Sequence, residues 1–172
     1  MSKRKHHPDT VAMIADVDAY LRRLADLMGL QRWDVYVSVK PSRKDALATV
    51  DPVQGRAVAS VRIARDFHAG STADQVNTLV HELIHLIHRD QTDIIRVATA
   101  GGEVLGTQAT YDLLWATVKL ATEVMVDHLA AIIAPTMPLP PWPTSNGATP
   151  TEAPRPVAVT SPAWPRPPCT SW

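Results

Sequence analysis

The chain has little of several features that would place it in a particular class of protein. Its 172 residues include one cysteine, Cys169, so no disulfide can form within the chain, which suits a reducing compartment. Basic and acidic side chains are equal at 17 each, so no net charge attracts nucleic acid or anionic lipid. No stretch reaches the roughly 18 apolar residues of a spanning helix. We therefore expect a cytoplasmic protein with neither a membrane nor a nucleic-acid partner.

Proline is present but unevenly placed, and this divides the chain. The last 39 residues, 134–172, contain 12 of the 15 prolines, which predicts a disordered, Pro-rich tail. Residues 1–8 form a short, basic and flexible terminus, so residues 9–133 are expected to be one domain. Proline-rich segments bind aromatic-lined grooves, so a groove-binding partner for the tail is one candidate interaction.

The remaining 125 or so residues show alternating helical and strand periodicity. A first helix is expected to stop at Gly29, and two turn signals, Pro41 and Asp51-Pro52, separate the strands. This order predicts an α+β fold with a small three-stranded antiparallel or mixed sheet. Large apolar residues of the last helix are expected in the core: Leu113, Leu114, Trp115, Val118 and Leu120, together with Trp33 from the first strand. The expected elements are helices over 9–29, 72–89 and 109–133 and strands over 33–40, 46–50 and 56–65.

The segment His81-Glu82-Leu83-Ile84-His85 is an HExxH motif within the second predicted helix. Positions i and i+4 share a helix face, so His81 and His85 can bind one zinc ion while Glu82 stands beside a bound water. Apolar residues recur at helical steps on both sides, and Ser71 with Asp74 forms an acidic variant of a capping box. The motif therefore lies where the chemistry needs it, in the middle of a helix.

Catalytic zinc usually has three protein ligands, so a third is expected elsewhere in the chain. In the metzincin pattern a glycine follows three residues after the second histidine and a ligand six residues after it. Those positions hold His88 and Gln91, which excludes that pattern. The last helix contains Glu123 and Asp127, whose i, i+4 spacing places two carboxylates on a common face. Glu123 is the leading third ligand.

Other donors stay open at this point. His88 lies three residues after His85, and either Asp90 or Asp93 could complete the site from the connector that follows the motif helix. With glycines at 101, 102 and 106, this connector is expected to be a long, flexible cover over a cleft.

His81, Glu82, His85, Glu123 and Asp127 together resemble the gluzincin metallopeptidases, in which a glutamate on a later helix completes HExxH. Over about residues 57–135 the chain is similar to the minigluzincins and the ImmA/IrrE family, although Asp127 stands where Asn is commoner. Its order of a Trp-containing strand, an Ala/Ile strand and then HELxH also resembles small phage-encoded metallopeptidases. The resemblance implies a zincin-like fold with Zn²⁺ bound by His81, His85 and Glu123, and Asp127 supporting a ligand histidine. It also implies that the strand over 56–65 is a sheet edge that pairs with an extended substrate. In ImmA/IrrE relatives that target is a DNA-binding repressor.

These expectations give a zinc-dependent peptidase that acts on a protein or peptide, with Glu82 as general base. Tyr111 and His128 are candidate transition-state stabilisers, and Arg96 is a third. The alternative is a non-catalytic, zinc-stabilised interaction module that recruits partners through the Pro-rich tail. Hydrolysis by wild type compared with Glu82→Gln distinguishes the two.

Overall fold

A computed structural model of the chain describes residues 8–43, 46–100 and 107–142. In this part of the chain it has four α-helices and a small three-stranded mixed sheet, so the predicted α+β class is confirmed. No helix in these residues is both long and apolar enough to cross a membrane. The helices are α1 (Pro8–Leu27), α2 (Thr72–Ile87), α3 (Arg89–Ala100) and α4 (Gln108–Ile133); the strands are β1 (Asp34–Val37), β2 (Ala48–Pro52) and β3 (Val58–Ile63).

The sheet has the order β1-β3-β2, with β1 parallel and β2 antiparallel to β3. The expectation that the strand over 56–65 is a sheet edge is therefore wrong, because β3 pairs on both sides. Alternate residues of β3, namely Ala59, Val61 and Ile63, are buried in the core as its periodicity predicts. Among the described residues β2 is the edge strand beside α2, which gives it the position expected of β3.

Asp51 and Pro52 do not form the expected turn, since both belong to β2. The Val53 N–H donates to the Val58 carbonyl oxygen at 2.8 Å, so in this alternating ladder the nitrogen of Pro52 points away from β3. Proline is tolerated at such a position because no ladder hydrogen bond is lost. The chain turns three residues later at Gly55, whose φ of +73° favours glycine.

Helix α2 is the centre of the molecule and follows its sequence pattern closely. The Ser71 side chain accepts the Asp74 N–H at 3.2 Å, as the capping-box prediction requires. A continuous stripe of this helix is buried against the sheet and α1, and it contains Val76, Leu79, Val80, Leu83, Ile84 and Leu86. Helix α1 ends before Gly29, which has a φ of +77° and stops the helix as predicted.

The connector after α2 is not a flexible cover over its first twelve residues, because these form helix α3. Arg89 and Asp93 make an i, i+4 ion pair of 2.8 Å, and the Thr92 hydroxyl donates to the His88 carbonyl at 2.9 Å. These local contacts favour helix directly after the α2 cap. The three glycines expected to give flexibility lie outside the described residues.

Helix α4 buries fewer residues than its apolar sequence suggests. Its fully buried side chains, Val126 and Ala130, both lie in the second half, which packs against α2. Leu113 and Leu120 are 70% and 67% exposed, so their expected place in the core is wrong. The first half of α4 extends beyond the core and borders a cleft instead. Trp33 is only half-buried but does pack against the core.

The folded domain continues past Ile133, so the tail does not begin at residue 134 as predicted. Residues Ala134–Thr136 form a short 3₁₀ helix, and Pro140 is fully buried. The Tyr20 hydroxyl donates to the Pro138 carbonyl at 2.5 Å, and the indole N–H of Trp142 donates to Gln75 Oε1 at 2.7 Å. Composition alone favours disorder here. The contacts of Trp142 with Gln75 and Tyr20 instead hold these residues against the domain. Residues 143–172 lie outside the described residues.

Candidate metal centre

The two motif histidines project from one face of α2 toward α4. The Nε2 atoms of His81 and His85 lie 3.1 Å apart, and each side chain is only about one-fifth exposed. One helical turn separates them, so their rings converge on a single point without any distortion of the backbone. Burial lowers the pKa of His85, although the negative charge of Glu123 acts in the opposite direction. The lowered pKa favours the neutral imidazole, which is the form that can bind a metal.

Glu123 reaches the same point from α4. Its Oε2 atom lies 3.6 Å from both His81 Nε2 and His85 Nε2. Ligands about 2.05 Å from one tetrahedrally coordinated ion are about 3.3 Å apart, close to the three distances found here. These three side chains could therefore hold a metal ion. Glu123 is 55% exposed, which leaves the group open on the α4 side.

Asp127 lies one turn after Glu123 and contacts the opposite edge of the His81 ring. Its Oδ1 atom is 3.0 Å from His81 Nδ1. A hydrogen bond there places the ring proton on Nδ1 and leaves the Nε2 lone pair directed at Glu123 and His85. Asp127 is therefore close enough to His81 to orient its ring by a hydrogen bond, as the resemblance implies.

The other donors that the sequence left open lie outside this group, and the two aspartates among them are paired with arginines. Asp90 pairs with Arg32 at 2.7 Å, and Asp93 pairs with Arg89 at 2.8 Å. His88 caps α2 with its backbone N–H, and its Nδ1 lies 3.4 Å from Gln91 Oε1. None of the three alternative donors belongs to the group that could hold a metal, which favours Glu123 over them.

Comparison with family models, with curated proteins and with solved structures finds no match to this chain. No family is therefore assigned on that ground. What the site can do follows from its own side chains and from the cavity around them.

Glu82 is buried beside the two histidines and points to the sheet edge. It is 8% exposed, and its Oε2 accepts the Val50 N–H at 2.7 Å. Burial raises the pKa of the Glu82 carboxyl, while the Val50 hydrogen bond and His81 act in the opposite direction. A carboxylate held this way is fixed in position and retains a proton more readily than an exposed glutamate. Both properties suit a group that accepts and returns a proton.

A cavity of about 530 Å³ opens beside His81, Glu82, His85 and Glu123. Its walls come from β2 and the segment before it, the second half of α2, the start of α3 and the middle of α4. Three threonines, an apolar surface that includes Trp115, and three basic side chains line it. The possible metal centre is thus at the side of a cleft large enough for a few peptide residues.

The sequence missed most of these lining residues, although two of them carried a signal. Lys119 and Trp115 lie four and eight residues before Glu123, so all three share one face of α4.

The same helical periodicity explains why the two expected transition-state stabilisers on α4 are absent from the cavity lining. At 100° per residue, Tyr111 and His128 lie about 120° and 140° around the helix from Glu123. Arg96, the third candidate, instead contacts Asp93 at 3.3 Å on α3.

Proposed function

We propose that this chain is a zinc-dependent peptidase of the gluzincin type, with a zincin-like arrangement of the sheet, α2 and α4. His81, His85 and Glu123 hold Zn²⁺, and Asp127 fixes the orientation of His81. The observation that carries the proposal is the convergence of three donor atoms, 3.1 to 3.6 Å apart, from two helices beside a buried glutamate. Zinc, when bound, supplies a water of lowered pKa and polarises the carbonyl group under attack.

Glu82 is the general base of the proposed reaction. Its carboxylate takes a proton from the attacking water and then transfers it to the departing amine of the cleaved peptide bond. The raised pKa supports this second step, because a carboxyl group that holds its proton briefly can deliver it. The contact with Val50 keeps Glu82 beside the sheet edge.

The substrate is an extended peptide that pairs with β2. The register places the N–H of Val50 on the side of β2 away from β3, and it is Glu82 that accepts it there. Residues Thr49, Val50 and Pro52 of this strand line the cavity. Glu82 takes the Val50 N–H and Pro52 has none, so a peptide added along this edge would donate its own N–H groups to the outward carbonyl oxygens of Val50 and Pro52 while one of its carbonyl groups reaches the metal centre. This moves the role expected of β3 to its neighbour.

A purely structural zinc site is the alternative, with partners recruited through the Pro-rich tail. Structural zinc usually has four protein ligands and a closed shell. Here three donors are grouped in the described residues, one of them is half-exposed, and a cavity opens beside them. The buried carboxylate of Glu82 directly next to the group is suited to proton transfer and is not needed by a structural ion. These features favour catalysis.

The deciding experiment compares the wild type, Glu82→Gln and Glu123→Ala. We expect about one zinc per chain in wild type and in Glu82→Gln, because glutamine removes the base without removing a ligand. Hydrolysis of a peptide mixture, followed by mass spectrometry, should be lost in Glu82→Gln. Glu123→Ala should lose zinc as well, whereas Asp112→Ala, an exposed acid on the same helix, should lose neither. Full hydrolysis by Glu82→Gln would refute the assigned base.

A further inference from the structure

Three basic side chains line the cavity beside the metal centre, although the whole chain is neutral. Three of its lining side chains are basic: Arg43 before β2, Arg89 at the start of α3 and Lys119 on α4. The chain has 17 basic and 17 acidic residues, so three cations around one cavity are a local feature. Basic side chains on a cleft wall attract ligands of the opposite charge wherever the protein's own carboxylates do not neutralise them.

Two of these cations are not neutralised by any acidic side chain that the structure describes. Arg89 pairs with Asp93 at 2.8 Å. Arg43 and Lys119 make no ion pair with any residue in the described ranges. Lys119 Nζ lies 5.9 Å from the centre of the Trp115 ring, a contact that orients the ammonium group but does not neutralise it.

The acidic groups of the cavity are already committed. Glu123 faces the two histidines, and Glu82 accepts the Val50 N–H. A divalent ion would add two positive charges and so balance both carboxylates. Arg43 and Lys119 would then remain as uncompensated charge, with the hydroxyl-bearing side chains of Thr49, Thr92 and Thr122 on the same lining.

We propose that this cavity selects acidic peptides, with Arg43 and Lys119 binding Asp or Glu side chains next to the scissile bond. Arg43 lies on the strand side of the cavity and Lys119 on the helix side, so the two can engage carboxylates on either side of an extended chain. This inference rests on the proposed peptidase function and names the substrate class of the same site. The apolar wall at Trp115 accommodates the methylene groups of such side chains.

The expected effect is modest, because both cations are exposed. An exposed charge pair changes affinity by about 1.5- to 5-fold, so the two together give about 2- to 25-fold discrimination. Added salt should weaken this preference, since exposed charges are screened within about 3 Å in 1 M salt.

The test uses three peptides that differ only by Glu, Gln or Lys at one position, moved in turn along a sequence that the full-length, zinc-loaded protein cleaves. We expect kcat/KM to fall in the order Glu, Gln, Lys at one or more positions and to converge in high salt. Arg43→Glu and Lys119→Glu should reverse the order. Lys40→Glu and Arg65→Glu, exposed and outside the cavity, should not. Equal cleavage of the Glu and Gln peptides at every position would overturn the inference and leave the peptidase proposal intact.

Binding separates the two proposals if nothing is cleaved. The same peptides, carrying a fluorescent label, are titrated with zinc-loaded Glu82→Gln protein and followed by anisotropy. Tighter binding of the Glu peptide that is lost in Arg43→Glu and Lys119→Glu supports an acidic-ligand site even without hydrolysis. Tighter binding that these variants leave unchanged assigns the preference to the metal and refutes the role of Arg43 and Lys119. No preference among the peptides refutes the inference outright.

Discussion

Replacing Trp142 by alanine tests whether residues after Ile133 belong to the folded domain. The Trp142 ring makes edge-to-face contacts with Tyr20 and His68, with centroids 5.2 and 5.6 Å apart. Such contacts contribute about 0.5–1.5 kcal/mol each, and truncating a buried tryptophan costs about 3–5 kcal/mol. Since Trp142 is only half-buried, we expect a loss of about 3 kcal/mol in the free energy of unfolding.

A second variant isolates the hydrogen bond of Trp142. Trp142→Phe keeps an aromatic ring but removes the N–H that donates to Gln75 Oε1, and Gln75 is only 3% exposed. An acceptor left without a donor in that position costs about 1–3 kcal/mol. We therefore expect the free energy of unfolding of Trp142→Phe to lie between that of Trp142→Ala and that of wild type.

The measurement is urea unfolding followed by far-ultraviolet circular dichroism, so that losing a fluorophore does not affect the signal. Leu113→Ala is the control, because Leu113 is 70% exposed and its truncation should change stability by less than about 0.5 kcal/mol. A chain that ends at residue 142 should be as stable as the full chain. A chain that ends at residue 133 should have a free energy of unfolding no higher than that of Trp142→Ala. If Trp142→Ala matched Leu113→Ala, the packing of residues 134–142 on the domain would be refuted.

Two other predictions concern histidines. Asp127→Ala should weaken zinc affinity by about 10- to 100-fold by freeing the His81 ring, measured by competition with a chelator, and an affinity equal to that of Asp112→Ala would contradict the support given to His81. Burial lowers the pKa of His68 from its usual value of 6.5, so below about pH 6.5 the unfolded chain binds the proton more readily and stability should fall as pH falls. His68→Asn should make this fall shallower, and an unchanged slope of stability against pH would rule His68 out as its source.

The group of side chains that could hold a metal ion could be predicted because each part of it depends on helical periodicity. His81, His85, Glu123 and Asp127 are pairs at i and i+4, and a helix brings such pairs together wherever it packs. Their apolar neighbours also recur at helical steps, so the helices themselves could be located. Joining the two helices required one further assumption, that a zinc ion needs a third ligand.

The lining of the cavity could not be predicted in the same way. Strand order is a property of long-range pairing, and the sequence of β3 does not state whether one or both of its edges are paired. Trp115 and Leu113 look alike as apolar residues of a helix, yet one borders the cavity and the other is exposed to solvent. The proline-rich composition after Ile133 likewise does not show that Trp142 packs on Tyr20 and His68 and donates a hydrogen bond to Gln75.

The hydrogen bond between Glu82 and Val50 joins the proposed general base to the proposed substrate-binding edge. It connects the middle of α2 to the edge strand, so the proposed base and the proposed peptide-binding strand cannot shift independently. Alanine at position 82 would remove this link together with the base, and lost hydrolysis would then have two explanations. Glutamine retains a side-chain oxygen that can accept the Val50 N–H. Loss of hydrolysis in Glu82→Gln with zinc retained therefore reports on proton transfer and not on a displaced strand.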